Sequence, residues 1–456
     1  IRTFKQNNNF GGKMANRLQT IPTTGHWSTW TQIGQRERAN GLSAATLFVC
    51  AVWLAGVWAN QVLAASTFGV MTLADAERIA INNDPLIAES KAMEESYRER
   101  SVAADRWPDP KLKFGISNIS METYNFEDEP MTQLVVGVSQ RFPSWGELDA
   151  KSGQLSALAG ATATEAKDKE LRTRLGVRKS WLEVYYQYQA EQLVKQSTEV
   201  FDQLKEITRL QYRAGRGSQR DVVSAQLEKS LLQDKQTMIH TQWRAALAQL
   251  NKWIGNAGLL EELDTNFPEL ATPPSNQQLK SAVERHPWLL AAKTRVNAAE
   301  KGVDYANAQK WPGWSLDLQY GQRGAERADL GSAMINMDLP LFTGNRQNRQ
   351  VKASQAELTA TQRKMDDQRR QLYEQLDIQW SIYDQVDQRL SLYENQVLSE
   401  AKQNAEAALS AYQAGVIEFG IVVRARLTEL NSELQYLKLK VDKAKAQVEL
   451  LYLSGS

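Results

Sequence analysis

The sequence predicts a mainly α-helical fold with a small β part, in which two long helical hairpins arise from a tandem duplication. Three observations predict it: long spans of the chain contain no proline, landmarks of the first half recur in the second, and four short segments alternate apolar and polar residues. The absence of proline permits long helices. Alternation with a period of two is typical of a strand whose two faces have unlike surroundings.

The N-terminal region, residues 1–65, differs in charge from the rest of the chain. It carries six Lys or Arg against one Glu, a net charge of +5. Arg36 and Arg38 precede an apolar stretch at 42–59, and small residues follow at 64–65. This order is typical of a cleaved secretory signal. A membrane-spanning anchor is the alternative interpretation, because the stretch is near the lower spanning limit of about 17 residues.

The remainder, residues 66–456, carries 48 basic and 52 acidic side chains and no cysteine. Its mildly acidic balance argues against a nucleic-acid partner. The single cysteine, Cys50, lies in the middle of the apolar stretch after Phe48 and Val49. That position disfavours a lipid anchor, for which small preceding residues are expected.

Landmarks of the first half recur about two hundred residues later. Tyr212-Arg-Ala-Gly215 recurs as Tyr412-Gln-Ala-Gly415. Four further pairs keep the same order: Asp84-Pro85 with His286-Pro287, Trp107-Pro108 with Trp311-Pro312, Phe142–Gly146 with Leu341–Asn345, and Trp253–Gly255 with Leu453–Gly455. The chain beyond the leader is therefore predicted to be a tandem duplication, with repeats at 66–270 and 271–456.

Proline placement predicts the helices of each repeat. No proline occurs from Ser144 to Asn266 or from Leu341 onward, and each span is interrupted once, at a glycine-containing turn. Long helices at about 145–210 and 345–412 are expected, each roughly 100 Å long at about 1.5 Å per residue, followed by a turn and a returning helix. The last helix has an apolar seam of heptad spacing, which predicts coiled-coil packing: Leu427, Leu430, Leu434, Leu437, Val441, Ala444, Val448 and Leu451.

Four segments with a period of two predict strands, at about 111–120, 131–142, 314–321 and 332–340. About ten residues suits a tilted membrane-spanning strand. Aromatic residues lie near the strand ends, as at a membrane interface: Trp107, Phe142, Trp311, Trp314, Tyr320 and Phe342. A soluble antiparallel sheet with one wet face is the alternative. Four strands are too few to close a barrel, and open edges are not tolerated in lipid, so membrane strands require several copies of the chain.

These features together resemble the TolC-type outer-membrane efflux family, over essentially all of residues 66–456. The segments Trp107–Asn118, Pro130–Thr132 and Gly137–Pro143 resemble its heavy-metal branch, which includes cobalt–zinc–cadmium and copper–silver systems. The resemblance implies a homotrimer with a twelve-stranded β-barrel in the outer membrane, continued by an α-helical barrel in the periplasm. It also implies two partners, a periplasmic adaptor and an inner-membrane pump of the resistance–nodulation–division type.

The resemblance implies roles for the turns between the long helices, which would form the periplasmic tips of the hairpins. Candidate partner-binding residues at these tips are Tyr212, Gly215, Arg216, Gly217, Ser218, Tyr412, Gly415 and Glu418. Gly215 and Gly415 are expected to supply the positive φ that ends a helix. Arg216, Arg220 and Asp221 are charged where the second tip is apolar, and we expect them to hold the entrance shut through ion pairs.

Candidate residues for the interior of the channel come from the polar side of the alternating segments. Lys111, Lys113, Asp317 and Asp338 are expected to face the lumen and to tune ion passage. No nucleophile–base constellation is found, and His240 and His286 have no metal-ligand partners at suitable spacing, so neither an enzyme nor a metal or cofactor site is predicted. The alternative function is a periplasmic adaptor or a coiled-coil scaffold. An adaptor, however, usually has a single helical hairpin with β-rich flanks.

Overall fold

The structure is a computed structural model that describes residues 70–255, 263–324 and 326–456. The predicted signal segment and Cys50 lie outside these ranges. The helices are α1 (Leu73–Asn83), α2 (Pro85–Ala104), α3 (Glu147–Arg213), α4 (Gln219–Ile254), α5 (Asn276–Val283), α6 (Pro287–Ala308), α7 (Gln347–Leu392), α8 (Leu398–Gln413) and α9 (Phe419–Ser454). The strands are β1 (Lys111–Ser117), β2 (Gln133–Phe142), β3 (Trp314–Arg323) and β4 (Leu330–Met337). The predicted fold class, mainly helical with a small β part, is confirmed.

Side-chain caps fix where several helices begin. Thr72 and Ser275 form capping boxes at the starts of α1 and α5. Asp84 and His286 cap α2 and α6, and each is followed by a proline at the first helical position. Such caps satisfy backbone N–H groups that have no partner in the first turn, and proline is tolerated there because its missing N–H would be unpaired anyway.

The two hairpins pack against each other along a shared apolar core. It contains buried residues of the first hairpin, such as Phe201, Leu204 and Leu232, and of the second, such as Phe419 and Leu430. Helix α3 has 67 residues and contacts α2 and α6 as well as α4 and α9. A helix of that length cannot bury its whole surface in one core, so it passes through several successive clusters.

The long helix of the second repeat is not uniform. Between α7 and α8 the chain forms a π-helical turn at Tyr393–Val397, whereas α3 is continuous over the corresponding length. A π turn accommodates one extra residue in an α-helix, so the helix on either side keeps its register with its neighbours. The sequence pattern predicted one uninterrupted helix here, because no proline or glycine marks the turn.

The strands form one antiparallel sheet in the order β1-β2-β3-β4. Strands β1 and β2 form one hairpin and β3 and β4 the other, and β2 pairs with β3 between the two hairpins, with Val138 opposite Leu318. Within the described ranges, β1 and β4 are therefore the edge strands. Among the same residues, no helix is long and apolar enough to cross a membrane.

Candidate functional site

One face of the sheet is apolar and exposed. The register places side chains of all four strands on this face: Leu112, Phe114, Ile116, Leu134, Val136, Val138, Leu318, Tyr320, Ile335 and Met337. Phe114 is 84% exposed and Ile335 is 67% exposed. A continuous exposed apolar face of this kind marks an interaction surface rather than ordinary scatter of surface residues.

An aromatic row crosses the end of this face nearest the helices. The ring of Trp107 contacts Phe142 edge-on with centroids 5.1 Å apart, and Phe142 stacks on Trp314 at 4.1 Å. Trp107 is 65% exposed, and Trp145, just beyond β2, is 91% exposed. Tryptophan is enriched where a protein surface passes from apolar to aqueous surroundings.

The opposite face of the sheet is polar and contains three of the predicted lumen residues. Lys111 and Asp317 are both register partners of Ser139, and Lys113 is the partner of Gly137 on the same face. Lys113 Nζ donates to Asp317 Oδ1 at 2.7 Å, and Asn336 donates to the other carboxylate oxygen. Asp317 is only 6% exposed, and each of its two carboxylate oxygens accepts a hydrogen bond.

The fourth predicted lumen residue, Asp338, lies one residue beyond β4. Its backbone N–H donates to the carbonyl oxygen of Gly313 at 2.9 Å. This bond closes the end of the β3–β4 pair next to the helices. Asp338 therefore occupies the rim of the sheet rather than its middle.

The first hairpin tip is closed by backbone and side-chain hydrogen bonds. Gly215 has a φ of 69°, and the N–H groups of Arg216 and Gly217 both donate to the carbonyl of Gln211. Ser218 and Asp221 form a capping box at the start of α4, with Ser218 Oγ 3.2 Å from the N–H of Asp221. The expected positive φ is present at this glycine.

The second tip has the same turn but a different start to its returning helix. Gly415 has a φ of 77°, and the N–H of Val416 donates to the carbonyl of Ala411 at 2.9 Å. Glu418 is the N-cap residue of α9, but its side chain makes no capping hydrogen bond. Val416 is 75% exposed. This tip is held by the apolar side chain of Phe419 rather than by a polar cap.

The repeat-related tyrosines at the tips have different surroundings. Tyr212 is 49% exposed, whereas Tyr412 is 7% exposed and packs on Phe419 with ring centroids 5.3 Å apart. Burial, together with the nearby carboxylate of Asp221, raises the pKa of Tyr412. Its hydroxyl makes no hydrogen bond within the described residues. Tyr412 is therefore buried at the tips, whereas about half of the Tyr212 side chain is exposed.

The three predicted gating residues lie on the first tip. Within the described part of a single chain, Arg216, Arg220 and Asp221 form no ion pair. Asp221 instead uses its carboxylate to accept the backbone N–H of Ser218 at 3.3 Å.

A buried polar cluster joins the start of α6 to α3 and α9. Tyr452 donates to Asp168 Oδ1 at 2.9 Å, and Arg172 Nε donates to Asp168 Oδ2 at 2.7 Å. His286 Nδ1 accepts the N–H of Trp288, and its Nε2 therefore donates to the carbonyl of Tyr452 at 3.1 Å. Burial lowers the pKa of His286 and raises that of Tyr452.

Sequence reasoning missed this cluster, because Asp168, His286 and Tyr452 are far apart in the chain. The only local signal was the proline after His286, which indicates an N-cap position. Among the described residues, no group of three or more His, Cys, Asp or Glu is arranged to hold a metal ion.

Solved structures with the same fold include outer-membrane proteins. The outer membrane protein VceC of Vibrio cholerae is 17% identical with a TM-score of 0.73, and the match covers 84% of this chain and 96% of that one. CusC is 14% identical with a TM-score of 0.72, and the match covers 85% of this chain and 93% of that one. Its structures concern conformational changes that accompany folding and transmembrane channel formation.

A curated relative is the fusaric acid resistance protein FusA of Burkholderia cepacia. It is 25% identical over 289 residues, which are 59% of this chain and 52% of that protein. The match thus spans about half the length of this relative. The family model of outer membrane efflux proteins matches residues 78–256 and 279–456. Because these two segments cover most of the chain, the protein belongs to the outer membrane efflux protein family.

Proposed function

We propose that this chain is one subunit of a homotrimeric outer-membrane channel of a tripartite efflux system. The observation that carries the proposal is the exposed apolar face of a four-stranded sheet with open edges at β1 and β4. Backbone groups at an open edge have no water to bond in lipid, so the strands must pair with those of other copies. Three copies would supply twelve strands.

A second feature supports assembly from several copies. Helix α4 has an exposed apolar stripe of Val223, Leu227, Leu231 and Met238, each more than half exposed. Helix α7 has exposed Ile378 and Ile382. Their spacings of four and seven residues place these side chains on one side of each helix. In a trimer these stripes would be covered by neighbouring subunits, and the helices would form a tunnel in the periplasm.

The hairpin tips are the proposed docking surface for a periplasmic adaptor, which in turn contacts an inner-membrane resistance–nodulation–division pump. Tyr212 and Val416 supply exposed apolar surface at the two tips, and Arg216 supplies an unpaired cation within the described chain. Photo-crosslinking from residue 212 or 416 should capture an adaptor in cells. The same crosslinker at Gln226, farther along α4, should not.

The direct test of the channel is made on the purified full chain. It should be recovered from the outer membrane as a heat-modifiable trimer and should conduct ions in planar bilayers. A water-soluble monomer from the periplasm would instead support an adaptor or scaffold. If Arg216 and Asp221 close the entrance, Arg216→Ala and Asp221→Ala should increase closed-state leakage.

We propose heavy-metal cations as the cargo, which the channel conducts passively while the pump selects. The resemblance of the segment Trp107–Asn118 to the heavy-metal branch of the family supports this cargo. The likeness to a fusaric acid resistance protein supports a different cargo, an aromatic carboxylic acid. A deletion strain separates the two: sensitivity to zinc, cobalt, cadmium, copper or silver supports metals, and sensitivity to fusaric acid supports the organic acid.

A further inference from the structure

A groove lies where the helices meet the sheet, between the end of α2 and the start of α3. Its lining includes two cations, Arg106 and Lys151, two carboxylates, Asp109 and Glu147, and the aromatic side chain of Trp107. The groove thus holds charges of both signs beside an exposed tryptophan, and it opens next to the apolar face of the sheet. The lining is suited to a ligand that carries both charges itself.

Two of the four charged side chains are already engaged. Lys151 Nζ lies 4.9 Å from the ring centroid of Tyr305 and donates to Gln154 at 3.1 Å. Glu147 accepts the hydroxyl of Ser144 at 2.8 Å. By contrast, the side chains of Arg106 and Asp109 form neither an ion pair nor a hydrogen bond with any described residue. One guanidinium and one carboxylate, three residues apart, are therefore available to a ligand.

We propose that this groove binds the phosphoethanolamine headgroup of a phospholipid, with the phosphate on Arg106 and the ammonium on Asp109. A guanidinium matches a phosphate through two parallel hydrogen bonds, and a carboxylate accepts the N–H groups of a primary ammonium. The acyl chains would then pass Trp107 and lie on the apolar face of the sheet. This inference rests on the proposed function, which places that face in lipid.

The chemistry of the two available side chains selects among headgroups. A choline headgroup has no N–H to donate to Asp109. A glycerol headgroup can donate its hydroxyl groups to Asp109 but carries no positive charge, so the charge of the carboxylate stays uncompensated near the lipid phosphate. An unpaired carboxylate at the membrane boundary disfavours the anionic lipid by charge repulsion.

The second repeat provides an internal comparison. Lys310-Trp311-Pro312 corresponds to Arg106-Trp107-Pro108, and Trp311 is 67% exposed. At the next position, however, the second repeat has Gly313 where the first has Asp109. It retains a cation beside an exposed tryptophan but has no carboxylate at this position. The groove beside Trp311 instead takes its carboxylates, Asp149 and Asp304, from α3 and α6, so the two grooves are not equivalent.

The test measures lipid retention by the purified full chain with native mass spectrometry, after delipidation and addition of one synthetic lipid at a time. The three lipids share dioleoyl chains and differ in the headgroup, which is ethanolamine, choline or glycerol. Wild-type protein should retain the ethanolamine lipid about tenfold better than the others, as expected for one charge-assisted hydrogen-bond partner. Asp109→Asn should remove this preference.

Arg106→Gln should lower the retention of all three lipids. Arg100→Gln changes an exposed arginine of α2, the helix that precedes Arg106, and should retain them like wild type. Equal retention of the three lipids by wild type, or an unchanged preference in Asp109→Asn, would overturn the site. Membrane fractionation and bilayer conductance of the same preparations separate the two proposals. A conducting outer-membrane channel without headgroup preference contradicts only this site, whereas a chain absent from the outer membrane contradicts the proposed function.

Discussion

At the scale of single residues, the hairpin tips depend on backbone conformations that glycine adopts without strain. Gly415 has a φ of 77°, and a Cβ at this position would meet no atom within 4 Å. The cost of an added methyl group is therefore conformational rather than steric. A left-handed conformation costs an L-residue about 1–2 kcal/mol.

We expect Gly415→Ala to destabilise the second tip by about 1 kcal/mol. Gly420→Ala is the matched control, because Gly420 lies in the first turn of α9 and a Cβ there also meets nothing within 4 Å. In a helix, Gly to Ala stabilises by roughly 0.5–1 kcal/mol. Hydrogen exchange of amides in the turn should change in opposite directions in the two variants. Equal protection in both would contradict the prediction.

A second residue-scale prediction concerns His286, which is buried and hydrogen-bonded as the neutral ring. Burial lowers its pKa in the folded protein below the ordinary value, so the unfolded chain binds a proton first as the pH falls. The contribution of His286 to stability is therefore complete above about pH 6.5 and is lost as the pH falls towards the lowered pKa.

His286→Asn keeps a capping oxygen at the start of α6 but removes the titrating ring. The stability of wild type relative to this variant should be larger at pH 7.5 than at pH 5, when measured by thermal unfolding of the purified protein. A difference independent of pH would show that the ring does not titrate between the folded and unfolded states in this range.

At the scale of elements, the sheet has two faces that differ in chemistry, and adjacent residues of β2 distinguish them. Val136 lies on the apolar face, whereas Val135 is the register partner of Gly115 and Gly321 on the opposite face. If the apolar face contacts lipid as proposed, Val136→Lys places a charge there, at a cost of about 2–4 kcal/mol near the middle of a bilayer. Outer-membrane assembly of Val136→Lys should be impaired, while Val135→Lys should assemble. Equal assembly of both would contradict a lipid contact for the apolar face.

The π turn between α7 and α8 is the element-scale feature that the sequence pattern did not predict. Because the turn absorbs one extra residue, deletion of Asn395 should convert it into continuous α-helix and leave the contacts on both sides in place. We expect a folded trimer with stronger hydrogen-exchange protection over residues 390–400. Loss of the contacts of α8 with α9 would mean that the turn does not compensate for an inserted residue.

At the scale of the whole molecule, assembly is expected to cover the apolar stripe of α4. The double variant Leu227→Glu/Leu231→Glu would place two carboxylates in that interface, where an unpaired buried charge is strongly unfavourable. We expect it to reduce the fraction of trimer on unheated gels. Gln226→Glu/Ser230→Glu adds the same charge one residue away on the same helix, at exposed polar positions. Both double variants should give the wild-type trimer fraction if the stripe faces solvent in the assembly.

The sequence by itself determined the kinds of elements in this protein and their order. Absence of proline, heptad spacing and alternation with a period of two are local properties of the chain, and each limits the backbone over a few turns or one strand. The repeated tyrosine–glycine turns likewise predicted where the helices reverse, since a positive φ is a property of the glycine itself.

Only the tertiary structure decided which repeat-related residues differ in role. Tyr212 and Tyr412 occupy the same turn, yet only one is buried, because Tyr412 packs where the two hairpins meet. Asp168 is bonded by Arg172, one helical turn away, and by Tyr452, whose carbonyl oxygen accepts from His286. No local pattern relates residues 168, 286 and 452. Pairing of β2 with β3 is equally non-local, and it sets the single apolar face on which the proposed function depends. Contacts between distant segments depend on how whole helices and strands pack, which local spacing does not specify.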